Sequence, residues 1–251
     1  MRFEWHIEKQ DLQSINEMYE RMHTNYVVQE RIARNVNGEH RPEYSKETFW
    51  HALVACLLTT QQRSGPNSAV NRLIIKKPFP LSLKQCRRYT GFESLFNHIL
   101  SEHGGIRRGK TIAKQAENNL RWLDKGGWHK IEGVVKDLLI NYTAKKEREA
   151  AKKIRAWLTG FGPKQSRNLL QMLGLTKHEI PLDSRVTKWL NSNGFPIKLT
   201  ASALGDETYY EFVMDAVQEL CNEAGIFPCI LDAMVFASFD NEQWTENNLM
   251  W

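Results

Sequence analysis

LTGFGPKQSRNLLQMLGLTKHEIPLDSRVTKWL, residues 158–190, is the stretch on which the reading of this chain turns. Just before and into it, AAKKIRAWL (150–158) has helical composition. After only T-G-F-G-P, a second helix resumes as KQSRNLLQMLGL. Two helices joined by so short a turn form a helix–hairpin–helix. Gly160 and Gly162 are expected to take positive φ angles and to let another chain come close. Phe161 between them is expected to plug the turn into the core. Pro163 suits the first turn of the second helix, where its missing N–H costs little. The expected product is a set of unpaired backbone N–H groups at a helix N-terminus, which is an anion site. Phosphate contacts of that kind carry no sequence information. The candidate phosphate contacts are Gly160, Phe161, Gly162 and Gln165.

Lys164 opens the second helix and admits two readings. It suits a phosphate-binding point charge, as in non-catalytic hairpin modules. It also suits a nucleophile, but a protonated amine attacks nothing, so that role needs burial in a cleft or a nearby base. Nineteen residues later, in EIPLDSRVTKWL, Pro181 stops the preceding segment and Asp183 reads as the N-cap of a helix bearing Val186, Trp189 and Leu190. Capping alone is a sufficient reason for an aspartate there. A carboxylate at one helix N-terminus, set beside a lysine at another, has a second use. It accepts the lysine proton and stabilises positive charge growing on a sugar.

Outward from this stretch, helical periodicity recurs and strand alternation does not. In SKETFWHALVACLL, Ser45 is an expected N-cap, and Phe49, Ala52, Leu53, Cys56 and Leu57 follow a helical stripe. Ile112, Ala116, Leu120 and Leu123 share one face of 110–123, as do Ile131, Val134, Val135 and Leu138 in 129–142. Phe212, Val213, Ala216, Val217 and Leu220 do the same in 209–225. Gly65-Pro66, Gly104-Gly105, Gly126-Gly127, Gly174, Gly194 and Gly225 punctuate these runs. The pattern predicts an all-α protein of about ten helices. The expected weak joints are NVNGEHRPEYS (35–45) and NSNGFPIKLTASALGDE (191–207).

The 251 residues suffice for one large domain or two modest lobes. Lys and Arg number 34 against 29 Asp and Glu, a formal net charge of +5 that mildly favours a polyanionic partner. The basic runs 76–89 and 145–155 read as solvated helix faces unless they flank a nucleic-acid-binding element. Cys56, Cys86, Cys221 and Cys229 lack the two-to-four-residue spacing of a zinc hairpin or an iron–sulfur loop, so no metal is expected. Glu4 and Glu8 stand where a signal peptide needs an apolar core, and ALVACLL (52–58) is far short of a membrane span. The expectation is a cytoplasmic, non-secreted protein with no membrane partner, and a monomer.

The pattern apolar-x-Gly-apolar-Gly-x-Lys, then about twenty residues to apolar-Pro-apolar-Asp, is met by Leu158, Gly160, Phe161, Gly162 and Lys164, followed by Ile180, Pro181, Leu182 and Asp183. It resembles the helix–hairpin–helix, Gly/Pro–Asp superfamily of DNA glycosylases. Three looser stretches agree with it. LLTTQQRSGPN (57–67) resembles the segment that fills the gap left by a flipped base, which makes Gln61 and Gln62 intercalation candidates. GGIRRGKTIAKQAENNL (104–120) resembles the glycine and basic segment opening the helix before the hairpin. FPCILDAMVFASF (227–239) resembles a Leu-Asp stretch near the C-terminus of the small 8-oxoguanine glycosylase/lyases. The missing C-terminal four-cysteine cluster sets the chain apart from the iron–sulfur branch. Pro163 ahead of the lysine departs from the pattern, and the first forty residues have no counterpart in it.

The resemblance implies two helical lobes with the active site in the cleft between them. One is 46–178, ending in the hairpin 158–164; the other, 1–45 plus 179–251, carries Asp183. It further implies Lys164 as a Schiff-base nucleophile, Asp183 as its partner, and a bifunctional glycosylase/AP lyase. The implied partner is double-stranded DNA holding a modified base, 8-oxoguanine above others. No cofactor is implied beyond a monovalent cation at the hairpin. A non-catalytic DNA-binding module and a glycosylase for another modified base stay open as alternatives. For base recognition, Asp232 interrupts the apolar run CILDAMVF and reads either as a paired carboxylate or as a pocket residue. Trp251 reads as a base-stacking or carboxylate-donating tail, or as a frayed end.

Overall fold

The computed structural model describes residues 4–89, 91–140, 142–240 and 242–250, and within them the chain is helical with no strand. Helices α1 (Lys9–Met22) and α2 (Tyr26–Arg31) come first, followed by a π-helical turn, Ile32–Asn37. Next are α3 (Lys46–Leu58), α4 (Ala69–Ile74), α5 (Leu83–Arg88), α6 (Phe92–His103), α7 (Gly109–Trp122), α8 (Trp128–Ile140) and α9 (Ala144–Trp157). After the hairpin come α10 (Pro163–Met172), α11 (Ser184–Ser192), α12 (Glu207–Glu223) and α13 (Pro228–Ser238). The described residues thus hold thirteen α-helices where periodicity predicts about ten. The extra ones, α2, α4 and α5, have six residues each, too few to display a stripe. Their starts are nonetheless set by capping side chains: Asn25 accepts from Val27 N, Ser68 from Asn71 N and Ser82 from Gln85 N.

Two hydrophobic clusters organise these helices. The first runs from Phe49 to Leu175 and is centred on α3. Ser45 caps α3 through Thr48 N, and the predicted stripe is buried. So are Trp50, Val54, Ala55 and Leu58 on its other faces. A helix apolar all round lies inside the core, not on its surface. The second cluster joins Ile15, Met18, Val27 and Val28 to residues between Ile180 and Trp244. Helices α1 and α2 are therefore part of a core. Stretch 35–45 is not a weak joint either: buried Asn35 donates from Nδ2 to Gln171 O (3.0 Å) and Thr176 O (2.8 Å). Stretch 191–207 is closed by Asn191, which exchanges two hydrogen bonds with the Leu199 backbone.

The Gly126-Gly127 pair breaks the helix as expected: Lys125 (φ −89°, ψ 30°) and Gly126 (φ +99°, ψ −1°) leave helical geometry, so α7 and α8 meet across a kink. The basic run on α9 is a largely solvated face, as expected, and several of its cations also meet acids of α12. Lys152 pairs with Glu211 (2.6 Å), Arg155 with Glu207 (3.0 Å) and Arg148 with Asp215 (2.6 Å). All four cysteines are buried free thiols. Among the described residues, no single helix is long and apolar enough to cross a membrane.

Candidate active site

The hairpin is built as its residue types require, with one exception. Leu158 leaves α9 in extended conformation and enters the first core cluster together with Phe161. Gly160 has φ +86°, and a Cβ there would lie 2.7 Å from the Gln115 side chain, so glycine answers both conformation and space. Gly162 is the exception: at φ −84°, ψ −173° it is ordinary extended backbone, not the positive φ expected of it. A Cβ on Gly162 would meet nothing within 4 Å, which leaves the approach to α10 open. Asn119 on α7 clamps the turn, accepting from Thr159 N at 2.7 Å and donating to Thr159 O at 3.0 Å.

Pro163 occupies the first position of α10, and no side chain caps that helix. The amides of Lys164 and Gln165 consequently find no acceptor among the described residues, which is the electropositive helix end an anion seeks. The Gln165 side chain is not available for phosphate, contrary to expectation. It is buried and donates from Nε2 to Cys56 O (2.6 Å) and Thr60 Oγ1, tying the hairpin to the end of α3. Only its backbone faces the helix mouth.

The next residues of α10 open onto a cavity of about 180 Å³. Lys164, Asn168, Gln171 and Met172 border it, in the i, i+4, i+7, i+8 register of one helix face. Pro181 and Asp183 border the same cavity, so folding brings the candidate amine and carboxylate to one space. Both are half-buried, and they do not form an ion pair with each other. Asp183 Oδ1 caps α11, accepting from Arg185 N (2.8 Å) and Val186 N (3.0 Å). Its Oδ2 has no hydrogen-bond partner among the described residues. One carboxylate oxygen is structural and the other is available. Cys56 lies close enough to feel the Lys164 charge, but burial pushes its thiol up to about 12, so it stays neutral. A larger open groove of about 710 Å³ lies beside α1, yet neither Lys164 nor Asp183 borders it.

Asp232 lies on α13. It is a cavity-wall residue and also a paired carboxylate: Oδ2 accepts from Arg31 Nη1 (2.8 Å) and Gln171 Nε2 (2.7 Å). Burial raises its pKa, Arg31 pulls the other way, and the nearby Asp183 adds to the rise. The two glutamines part company. Gln61 is exposed at φ +57°, a conformation uncommon for a side chain longer than asparagine. Gln62 is tied down: its Nε2 donates to Leu58 O and its Oε1 accepts from Arg107 N at 2.9 Å. Trp251 lies outside the described residues. Trp244, Leu249 and Met250 of the C-terminal segment line the cavity.

Some of what builds the site escaped the sequence reading. Asn119, Arg167 and Tyr210 are buried polar residues whose only outward sign is a polar side chain on an apolar helix face. Gln171 had a usable signal, since it lies two helical turns from Lys164 on the same face.

No protein-family model matches the chain, and no curated protein matches it in sequence. Solved structures do match in shape. A crystal structure of the Methanocaldococcus jannaschii 8-oxoguanine DNA glycosylase aligns at TM-score 0.67 and 15% identity, covering 93% of this chain and 95% of that one. Tm1821, the 8-oxoguanine DNA glycosylase of Thermotoga maritima, aligns at 0.67 and 16%, over 93% and 98%. The M. jannaschii 8-oxoguanine glycosylase/lyase in complex with a 15mer DNA containing 8-oxoguanine aligns at 0.69 and 14%, over 93% and 99%. At these identities it is the fold that is shared, from end to end: this chain has the all-helical fold of the 8-oxoguanine DNA glycosylases.

Proposed function

We propose that this protein is a bifunctional DNA glycosylase/AP lyase that removes a modified base, 8-oxoguanine in the first instance, from double-stranded DNA. The observation that carries the reading is the convergence of Lys164 and Asp183 on one cavity, with a free carboxylate oxygen on Asp183. The end-to-end fold shared with 8-oxoguanine glycosylases supports it. A base stacked in a duplex is out of reach of either group, so the nucleotide must be extruded, most cheaply where it is damaged or poorly paired. The uncapped amides of Lys164 and Gln165 hold a phosphate of the bound strand. The exposed Gln61 enters the vacated stack, while Gln62 keeps its loop on the Arg107 backbone.

Asp183 takes a proton from Lys164, and the neutral amine attacks the sugar C1′. The C1′–N bond breaks and the base leaves with the electron pair and a proton. The aminal left at C1′ then opens: the C1′–O4′ bond breaks, O4′ takes up a proton, and the lysine nitrogen forms the C1′=N Schiff base, which loses a C2′ proton and eliminates the 3′ phosphate, nicking the strand. The Gly160 and Phe161 carbonyls accept no hydrogen bond among the described residues, so they fit a monovalent cation, which would add positive charge near the phosphate. The test is a duplex bearing one 8-oxoguanine, incubated with borohydride. Wild type should give a covalent adduct, and Lys164→Gln should give none while binding DNA nearly as well. A lesion-dependent adduct with Lys164→Gln, or none with wild type, refutes the lyase assignment. A parallel panel of uracil, alkylated purines and modified cytosines tests the base.

A further inference from the structure

Residues 177–183 deliver Asp183 to the cavity, and three buried side chains hold them. Glu147 on α9 accepts the backbone N–H groups of Lys177 (3.0 Å), His178 (2.8 Å) and Glu179 (2.9 Å). The Tyr210 hydroxyl on α12 straddles Pro181, donating to Ile180 O (2.8 Å) and accepting from Leu182 N (2.6 Å). Arg167 on α10 is fully buried; Nε pairs with Glu179 Oε2 at 2.6 Å and Nη2 with Glu207 Oε1 at 2.9 Å. The same guanidinium donates from Nη1 to Pro163 O (3.1 Å) and lies 4.3 Å above the Tyr210 ring.

Besides Glu207, one planar group therefore touches the residue just before Lys164, the acid four residues before Asp183, and the ring whose hydroxyl grips both sides of Pro181. Stability alone gives little reason for such an arrangement. A buried ion triad seldom outperforms apolar packing of the same volume, because desolvation cancels most of its attraction. A rigid guanidinium fork does define geometry, which a lysine in its place would not.

We propose that Arg167 and Tyr210 are positioning residues that set the Lys164 amine against the Asp183 carboxylate. The proposal rests on the reading of that pair as the reacting one. Reactions that depend on a poised nucleophile fall by about a hundredfold for a displacement of about 1 Å.

Tyr210→Phe removes one oxygen and keeps the ring; Arg167→Lys keeps the charge and loses the fork. Each is assayed as full-length protein by thermal melting, by the Kd for a lesion duplex, and by single-turnover rate at saturating protein across pH. The Lys164 side-chain titration is followed by NMR of ¹³C,¹⁵N-lysine-labelled protein, with Lys164→Gln identifying the signal. Expected are a cooperative melt, Kd within about twofold, a single-turnover rate about 10–100-fold lower with a displaced pH profile, and a moved Lys164 titration. The double variant should be no slower than the slower single one, since the two act as a unit. Unchanged rate and titration in a folded variant overturn the proposal, as does a rate loss no larger than the loss of folded fraction. A moved titration in a protein whose wild type forms no borohydride adduct supports the positioning role and refutes the lyase reading instead.

Discussion

In the proposed mechanism Asp183 has two jobs on two oxygens, and a pair of substitutions separates them. Oδ1 accepts from Arg185 N and Val186 N and so starts α11; Oδ2 is the oxygen left for chemistry. Asp183→Ala removes both. Loss of an N-cap costs about 1 kcal/mol, within a range of about 0.5–2. For a chain of this size, each kcal/mol lowers Tm by about 2–4 °C, so a drop of about 2–4 °C is expected. Asp183→Asn keeps the capping oxygen and loses only the charge at the helix end, worth about 0.3–1 kcal/mol. Its melt should lie within about 4 °C of wild type. Catalysis should not follow stability. Without a base, both variants should lose about 10²–10⁴-fold in single-turnover base removal, or about 3–5 kcal/mol of barrier. Differential scanning fluorimetry and quenched cleavage of a lesion duplex measure the two effects on the same preparations. An Asp183→Asn protein that cuts at the wild-type rate would reduce Asp183 to a cap and remove the acid–base half of the mechanism.

Phe161→Ala should destabilise by about 3–5 kcal/mol in urea titration and weaken DNA binding, because the ring anchors the turn that presents the Lys164 and Gln165 amides. Gln61→Ala should leave stability within about 0.5 kcal/mol but weaken the lesion-duplex complex in a gel-shift titration. Gln62→Ala should instead cost about 1 kcal/mol by freeing the Arg107 amide, with a matching loss in urea midpoint. Burial holds the His51 imidazole at about 4 against an ordinary 6.5, since its charged form is disfavoured in the folded protein. The stability this group leaves intact above pH 6.5 should be lost as pH falls towards 4, by about 2–3 kcal/mol at most, and His51→Gln should flatten that slope in urea midpoints taken at pH 7 and 4.5.

The parts of the molecule legible in the sequence are those governed by near neighbours in the chain. Caps at Ser45 and Asp183, the faces of α7, α8 and α12, and the hairpin with its Phe161 plug depend on spacings of three to eight residues. The six-residue helices depend on tertiary contact more than on periodicity, and so were not foreseen. The Gly162 angle was misjudged because glycine permits a positive φ without requiring it. Gln165 was misassigned because its position in the first turn says nothing about which way the side chain goes. That choice is made by Cys56 and Thr60, more than a hundred residues away.

The same distinction explains why the proposed pair, Lys164 and Asp183, could be picked out from sequence while its geometry could not. Lys164 and Asp183 each sit at a helix N-terminus, a position marked locally by Gly-x-Gly-Pro in one case and by Pro-x-Asp in the other. Their separation depends on Arg167, Glu179, Tyr210 and Glu147, contributed by three helices and a loop. None of those four carries a motif. Each is simply a polar residue in a place where burial without a partner would cost more than the fold can spare. It follows that substitutions among these four should be the ones that lower the rate while leaving the recognisable motif intact. A sequence that kept Gly-x-Gly-x-Lys and Pro-x-Asp but carried apolar residues of similar volume at both Arg167 and Glu179 should keep the fold and the DNA grip and react more slowly.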